Sequence, residues 1–205
     1  TATIRANASK ACGFLNTAQF DAACTLAALR QLHPTSPSYL FPLPVGLRPK
    51  GSLEPLFSNQ IAMLMLQFFP HELTDLPATI AALKSKTENA MRHNHLNDYV
   101  LLAEFSRYLP VPVCLAIMKF KIGGELASIF YGDAGHVNPS LTEFLGVPVT
   151  DVTHLAAVIE SPGLGVIFGR FQNQLRLVTV HAPRMLKDEE ATAFATNLRQ
   201  RLLQP

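Results

Sequence analysis

The densest grouping of residues able to do acid–base or metal chemistry runs from Arg92 to Asp98, where His93, His95 and Asp98 lie within one short stretch. On a helix His95 and Asp98 are three positions apart and neighbours, so the carboxylate could orient the imidazole as a general base. The same stretch contains Asn94, Asn97 and Asp98, poor helix formers that make good caps. The stretch therefore reads as an exposed junction between two helices. His93 and His95 are two positions apart, a rotation of about 200° on a helix, which argues against a shared metal ion.

Elsewhere the chemistry-bearing residues are scattered. Gly163 with Gly165, and Gly132 with Gly135, are glycine pairs without the strand, loop and helix that a phosphate cradle needs, so they read as turns or close backbone approaches. No serine sits in a nucleophile elbow, and His71, His136, His154 and His181 are isolated. The cysteines, Cys12, Cys24 and Cys114, are widely spaced and odd in number, against a disulfide framework. Cys12 and Cys24 lie in apolar surroundings and are expected to be inert core thiols in a reducing cytoplasm. The chain thus shows no self-sufficient catalytic constellation: no catalytic residue, metal site or tightly bound cofactor is expected.

The elements that must position any site follow from periodicity and punctuation. Ala2–Cys12 reads as a helix closed by Gly13. A second helix starts at Asn16 or Thr17 and runs to about Leu32, with Phe20, Cys24, Ala27 and Ala28 at helical spacing. Strands are expected over Tyr39–Leu47 and Asn59–Phe69. Asp75 with Pro77 marks a helix start, with Ile80, Leu83, Thr87 and Met91 as its stripe. A helix from Asp98 to about Tyr108 and a short buried one over Val113–Phe120 follow.

Ser128–Tyr131 then reads as a strand, Gly132–Pro139 as a loop and Thr150–Ile159 as a strand. Gly163–Arg170 and Leu175–Val180 form a hairpin around Gln172, Asn173 and Gln174. The last helix spans Asp188–Leu203, acidic at its start and basic at its end as the helix dipole favours. The fold class expected is α/β (α+β), a mixed sheet flanked by helices.

Composition excludes several classes. Of 205 residues 48% are hydrophobic and 16% charged, with a net charge of +2 and no basic run, so nothing marks a nucleic-acid footprint. The longest apolar run, Val111–Met118, falls short of the roughly 18–20 residues of a membrane span. Mean hydropathy is slightly positive, as expected of a piece whose surface another lobe covers. The chain opens on Thr1, inside a helix and without a signal-peptide pattern, and reads as part of a longer protein.

An ordered series of segments resembles the condensation-domain superfamily of acyltransferases. Leu15-Asn16-Thr17-Ala18-Gln19-Phe20-Asp21-Ala22-Ala23 is similar to that family's segment after the lobe linker, keeping Asn16 but carrying Thr17 where an acid is common. Phe41-Pro42-Leu43-Pro44-Val45-Gly46-Leu47-Arg48-Pro49 resembles its strand ending in Pro-Val-Xaa-Leu-Arg. Ser58-Asn59-Gln60-Ile61 stands at its Gly-Asn strand start, with Ser58 replacing the glycine. Ser128-Ile129-Phe130-Tyr131-Gly132-Asp133-Ala134-Gly135 looks like its Ser-Asn-Xaa-Gly crossing strand, and Val147 to Val152 and the final hairpin and helix follow in order. Wax-ester/diacylglycerol acyltransferases, alcohol acetyltransferases and peptide-synthetase condensation domains share this plan.

The resemblance implies a single chloramphenicol-acetyltransferase-like lobe over residues 1–205, the C-terminal half of a two-lobed protein. Its partner would be an N-terminal lobe whose His-His-Xaa-Xaa-Xaa-Asp-Gly motif supplies the general base. That base deprotonates a hydroxyl or amine acceptor, which attacks an acyl thioester of coenzyme A or a carrier protein. This chain lacks the motif and would be inactive alone, contributing a tunnel wall and part of the thioester and acceptor site through Asn16, Arg48, Asn59, Gly132 and Asp133. For Arg48 a buried salt bridge is the expected structural role. The alternative is a non-catalytic binding or scaffolding domain of the same fold; a third reading is a small enzyme using His93, His95 and Asp98. An apolar face left open for the other lobe is expected.

Overall fold

The computed structural model describes residues 2–13, 17–48, 60–121, 127–138, 140–156 and 162–204, with the backbone alone over 117–121. The helices α1 (Ala2–Cys12) and α2 (Thr17–Leu32) come first. Alanines and leucines line every side of α2, and it is buried continuously from Phe20 to Leu29, as a helix apolar all round must be. It packs against α1, α3 (Leu76–Arg92) and α6 (Asp188–Leu203). Asp75 caps α3, its Oδ1 accepting from the Ala78 amide at 2.7 Å. In α6 the buried positions are Ala191, Phe194, Leu198 and Leu202, and the helix occupies the range expected.

Strands β1 (Tyr39–Gly46) and β2 (Ile61–Phe68) pair antiparallel, Tyr39 opposite Phe68 and Gly46 opposite Ile61. On β2 Ala62, Leu64, Leu66 and Phe68 are buried while Ile61 and Met65 are exposed, the alternation of a sheet with one covered face. A second sheet holds β3 (Phe130–His136), β6 (Leu164–Phe171) and β7 (Gln174–His181) in the order β3-β6-β7. It is mixed: β3 runs parallel to β6, and β6 antiparallel to β7. The β6–β7 turn places Gln172 and Asn173 at φ 44° and 63°, the two left-handed residues of a tight hairpin. Ser128 joins the two sheets, its amide donating to Leu40 O at 2.8 Å and its hydroxyl accepting from Leu40 N at 2.9 Å.

The expected α/β class, a mixed sheet flanked by helices, is what the chain adopts, and four local expectations are corrected. Helix α4 (His95–Ser106) starts before Asp98, because Asn94 at φ 57° breaks the chain immediately ahead of it. Helix α5 (Val111–Lys121) does not show the expected burial over residues 111–116: Val111, Val113 and Leu115 are exposed. Strand β3 extends into the expected loop, pairing with β6 as far as Asp133 before a register break leads to His136. Of the strand expected over Thr150–Ile159, residues 157–159 lie outside the described residues and residues 150–156 form none. Their polar side chains are engaged across the sheet instead, Asp151 by Arg176 at 2.9 Å and His154 over Gly169. The preceding segment makes a small hairpin, β4 (Glu143–Phe144) and β5 (Val147–Pro148). Among the described residues no helix is long and apolar enough to cross a membrane.

Candidate functional site

Two charges stand alone in apolar runs, Asp21 in the Ala-rich α2 and Arg170 near the end of β6. Folding brings them together. Arg170 Nη2 donates to Asp21 Oδ2, and Nη1 donates to Asp133 Oδ1 of β3 at 2.8 Å. The side chains of Asp21, Arg170 and Asp133 are 0%, 8% and 14% exposed, so the cluster is largely sealed from solvent. A guanidinium suits this task because its planar fork can serve two carboxylates at once.

Backbone geometry ties Asp133 to the same residue. Beyond the register break, His136 pairs with Arg170, and the Val137 amide donates to Arg170 O at 2.9 Å. Gly135, at φ 69°, turns its amide onto Asp133 Oδ1 at 2.9 Å. Both hydrogen bonds to Asp133 therefore fall on Oδ1, and Oδ2 accepts none among the described residues.

Asp133 forms part of the wall of a cleft of about 430 Å³ between the start of α2, the middle of α3 and the strands β1 and β3. Tyr131, Leu43, Pro44 and Leu83 give it an apolar lining, and Lys84 and Glu88 of α3 stand beside it. Tyr131 is fixed by its hydroxyl, which donates to Ala18 O at 3.3 Å, and by its ring against Phe41, with centroids 4.9 Å apart. A carboxylate oxygen at such a wall can accept a hydrogen bond from a ligand hydroxyl or amine.

Burial dominates the electrostatics. It pushes the Asp21 carboxyl up to about 7 against the pull of Arg170, and the Asp133 charge adds to the rise. Asp21 Oδ1 is buried with no hydrogen-bond partner among the described residues. Burial, with Asp21 adding to it, also raises the thiols of Cys12 and Cys24 and the Tyr131 phenol.

Of the residues singled out in the sequence, Gly132 and Asp133 lie on β3, Asp133 in the cleft and Gly132 against Ile167. Arg48 follows β1 at an exposed position, so the burial expected of it is not found, while Arg170 is buried. Asn16 and Asn59 lie outside the described residues. His95 and Asp98 do meet, Nδ1 to Oδ2 at 2.9 Å, at the expected helix junction. They border a separate cleft of about 430 Å³ with Met63, Met65, Lys86 and Leu102. Their side chains are 54% and 67% exposed, and among the described residues no group of three metal-binding side chains forms. Asp21 and Arg170 escaped the sequence reading, although a lone charge inside an apolar run is itself a signal of a buried pair.

No family model matches the chain, and a search of curated proteins returns no significant relative. Solved structures do share its fold. One is a double mutant of the starter condensation domain of the rhizomide synthetase, with a TM-score of 0.60 and 16% identity over 91% of this chain and 40% of that one. Another is the epimerization domain from the third module of tyrocidine synthetase B, with a TM-score of 0.57 and 11% identity over 98% of this chain and 44% of that one. The chain therefore spans less than half the length of either structure. At such identities the likeness is one of fold, and the fold is that of a condensation-domain lobe.

Proposed function

We propose that this chain is the C-terminal lobe of a thioester-dependent acyltransferase or condensation enzyme. The observation that carries the reading is the match of nearly all of this chain to less than half of a condensation domain and of an epimerization domain, which leaves room for a second lobe. The catalytic histidine belongs to that N-terminal lobe, in a His-His-Xaa-Xaa-Xaa-Asp-Gly motif. There it takes the proton from a hydroxyl or amine acceptor as the acceptor attacks an acyl-CoA or acyl-carrier thioester. The C–S bond breaks, the acyl group stays on the acceptor, and the leaving thiolate takes up the proton from the histidine.

In this reading the present lobe supplies a tunnel wall, and the Asp133 cleft is its share of the substrate site. Asp133 Oδ2 accepts the hydrogen bond of a substrate donor group, and Tyr131, Leu43 and Leu83 exclude water from it. Asn16, Arg48, Asn59 and Gly132 are proposed as further residues of the thioester and acceptor site. The cytoplasm, where such thioesters are made, is the compartment that suits it.

The other lobe has apolar surface to cover. Phe144, Leu145 and Val147 on the β4–β5 hairpin are 65%, 88% and 64% exposed, and α4 and α5 expose Leu101, Phe105, Val111 and Leu115. Groupings of this kind mark interaction sites.

The test is transfer from acetyl-CoA to a panel of alcohols and amines, by this chain alone and by this chain joined to a lobe bearing the histidine motif. Turnover is expected only from the joined protein, with Asp133→Asn reducing it. Turnover by the isolated chain that His95→Ala abolishes would overturn the proposal in favour of a small enzyme built on the His95–Asp98 contact. A stable two-lobe complex without turnover would point to a scaffolding domain.

A further inference from the structure

The Asp21–Arg170–Asp133 cluster holds two carboxylates and one guanidinium away from solvent, and the charges do not balance when both acids are ionised. One oxygen of the inner acid, Asp21 Oδ1, is buried with no hydrogen-bond partner among the described residues. A charge in that position lacks the hydrogen bonds that would stabilise it. The outer acid, Asp133, forms part of the cleft wall, and its Oδ2 accepts no hydrogen bond among the described residues. Arg170 is common to both, so what happens at Asp21 must be felt at Asp133.

We infer that the protonation state of Asp21 regulates the Asp133 cleft by setting how Arg170 is shared. With Asp21 ionised, the guanidinium divides between Asp21 Oδ2 and Asp133 Oδ1, and Asp133 Oδ2 is left for a ligand donor. A proton taken from solvent onto Asp21 removes the charge that holds Nη2. The guanidinium then acts on Asp133 alone, draws both of its oxygens in, and withdraws the carboxylate from the cleft. Arg170 is thus a positioning residue for Asp133, and Asp21 is the group that sets its position. The inference rests on the reading of the Asp133 cleft as the substrate site.

The groups around Asp21 leave it as the element that switches. From β6 it meets Arg170, from β3 Asp133 and Tyr131, from α1 Cys12, and from its own helix Cys24. Burial raises the Tyr131 phenol and both thiols from values already above neutrality, so these stay neutral while Asp21 titrates. Burial also lifts Asp21 to about 7, where a proton can come and go under ordinary conditions.

The Gly135 amide is a built-in reporter, because it donates to Asp133 Oδ1 at 2.9 Å. The experiment is an NMR titration of this chain from pH 5 to 9, following the Asp21 side-chain carboxyl carbon and the Gly135 amide. His136→Gln is present in every sample to remove the neighbouring imidazole. The two signals are expected to titrate with one midpoint, and Asp21→Asn is expected to hold the Gly135 amide at its low-pH position throughout. A Gly135 signal that does not follow the Asp21 carboxyl carbon overturns the inference, and that comparison is made in a chain with Asp21 intact, so it stands even if Asp21→Asn fails to fold. No thioester turnover is measured, so a failure here is distinct from a failure of the acyl-transfer reading.

Discussion

Arg170 of β6 donates through Nη2 to Asp21 of α2, 149 residues away in sequence, and the acceptor is fully buried. A buried pair contributes little net stability while intact, but removing one partner leaves an uncompensated charge. Arg170→Met is therefore expected to cost about 3–5 kcal/mol in urea unfolding at pH 8. Adding Asp21→Leu to it should recover most of that loss. A single-mutant cost below about 1 kcal/mol would show that the pair is not sealed from water as described.

The same acid gives stability a definite slope with pH. In the fold Asp21 is raised to about 7 from the ordinary 3.8, so the native chain binds its proton more tightly than the unfolded chain. Its contribution is fully present below the unfolded value and is lost as pH rises through about 7. Across that window the loss amounts to roughly 4 kcal/mol from this group. Urea unfolding from pH 4 to 8 should show the decline in the wild type, and Asp21→Asn should remove it.

Gly169 owes its place to His154. A Cβ on Gly169 would stand 2.8 Å from His154 Nδ1, closer than non-bonded atoms tolerate. Gly169→Ala is expected to destabilise by about 1–3 kcal/mol. The double variant with His154→Ala should lose less than the sum of the two single variants. Strict additivity in thermal or urea unfolding would mean that the imidazole does not rest on the strand.

His95 and Asp98 touch at 2.9 Å but face water. An exposed pair of this kind is worth at most about 1 kcal/mol. His95→Ala should change unfolding stability by no more than that and leave transfer by a two-lobe protein intact. Its effect on both is read by urea titration and an acetyl-CoA turnover assay.

The β4–β5 hairpin separates association from folding. Phe144, Leu145 and Val147 are absent from the hydrophobic core. Replacing the three with serine should leave the unfolding midpoint within about 0.5 kcal/mol of the parent. The same variant should bind the N-terminal lobe at least tenfold more weakly by calorimetry. Unaltered affinity would place the contact elsewhere on the chain.

Much of the framework is legible in the sequence because it is written locally. Gln172 and Asn173 announce a tight turn between apolar alternations, Asp75 and Pro77 announce a capped helix, and the acidic start of α6 announces its dipole. Residues 150–156 carry β-branched Val152 and Thr153, which favour pairing, yet Asp151 bonds Arg176 and His154 lies over Gly169 without any ladder there. The centre of the candidate site was out of reach for a different reason. Asp21, Asp133 and Arg170 are separated by more than a hundred residues on one side and 37 on the other, and only the packing of α2 onto the sheet turns three unrelated positions into one charge cluster. Asp133 alone had a local cue, its place in the crossing-strand segment.

The bridge at Ser128 has a mechanical consequence. Leu40 N is held there by a side-chain hydroxyl and Leu40 O by a single amide, so among the described residues the boundary between the hairpin and the three-stranded sheet is a seam with few main-chain rungs. Subglobal opening is expected to run along that seam, releasing the β1–β2 hairpin as one unit while β3, β6 and β7 stay closed. In native-state hydrogen exchange the amides of the hairpin should then share one opening free energy, lower than that of β6, and Ser128→Ala should lower it further.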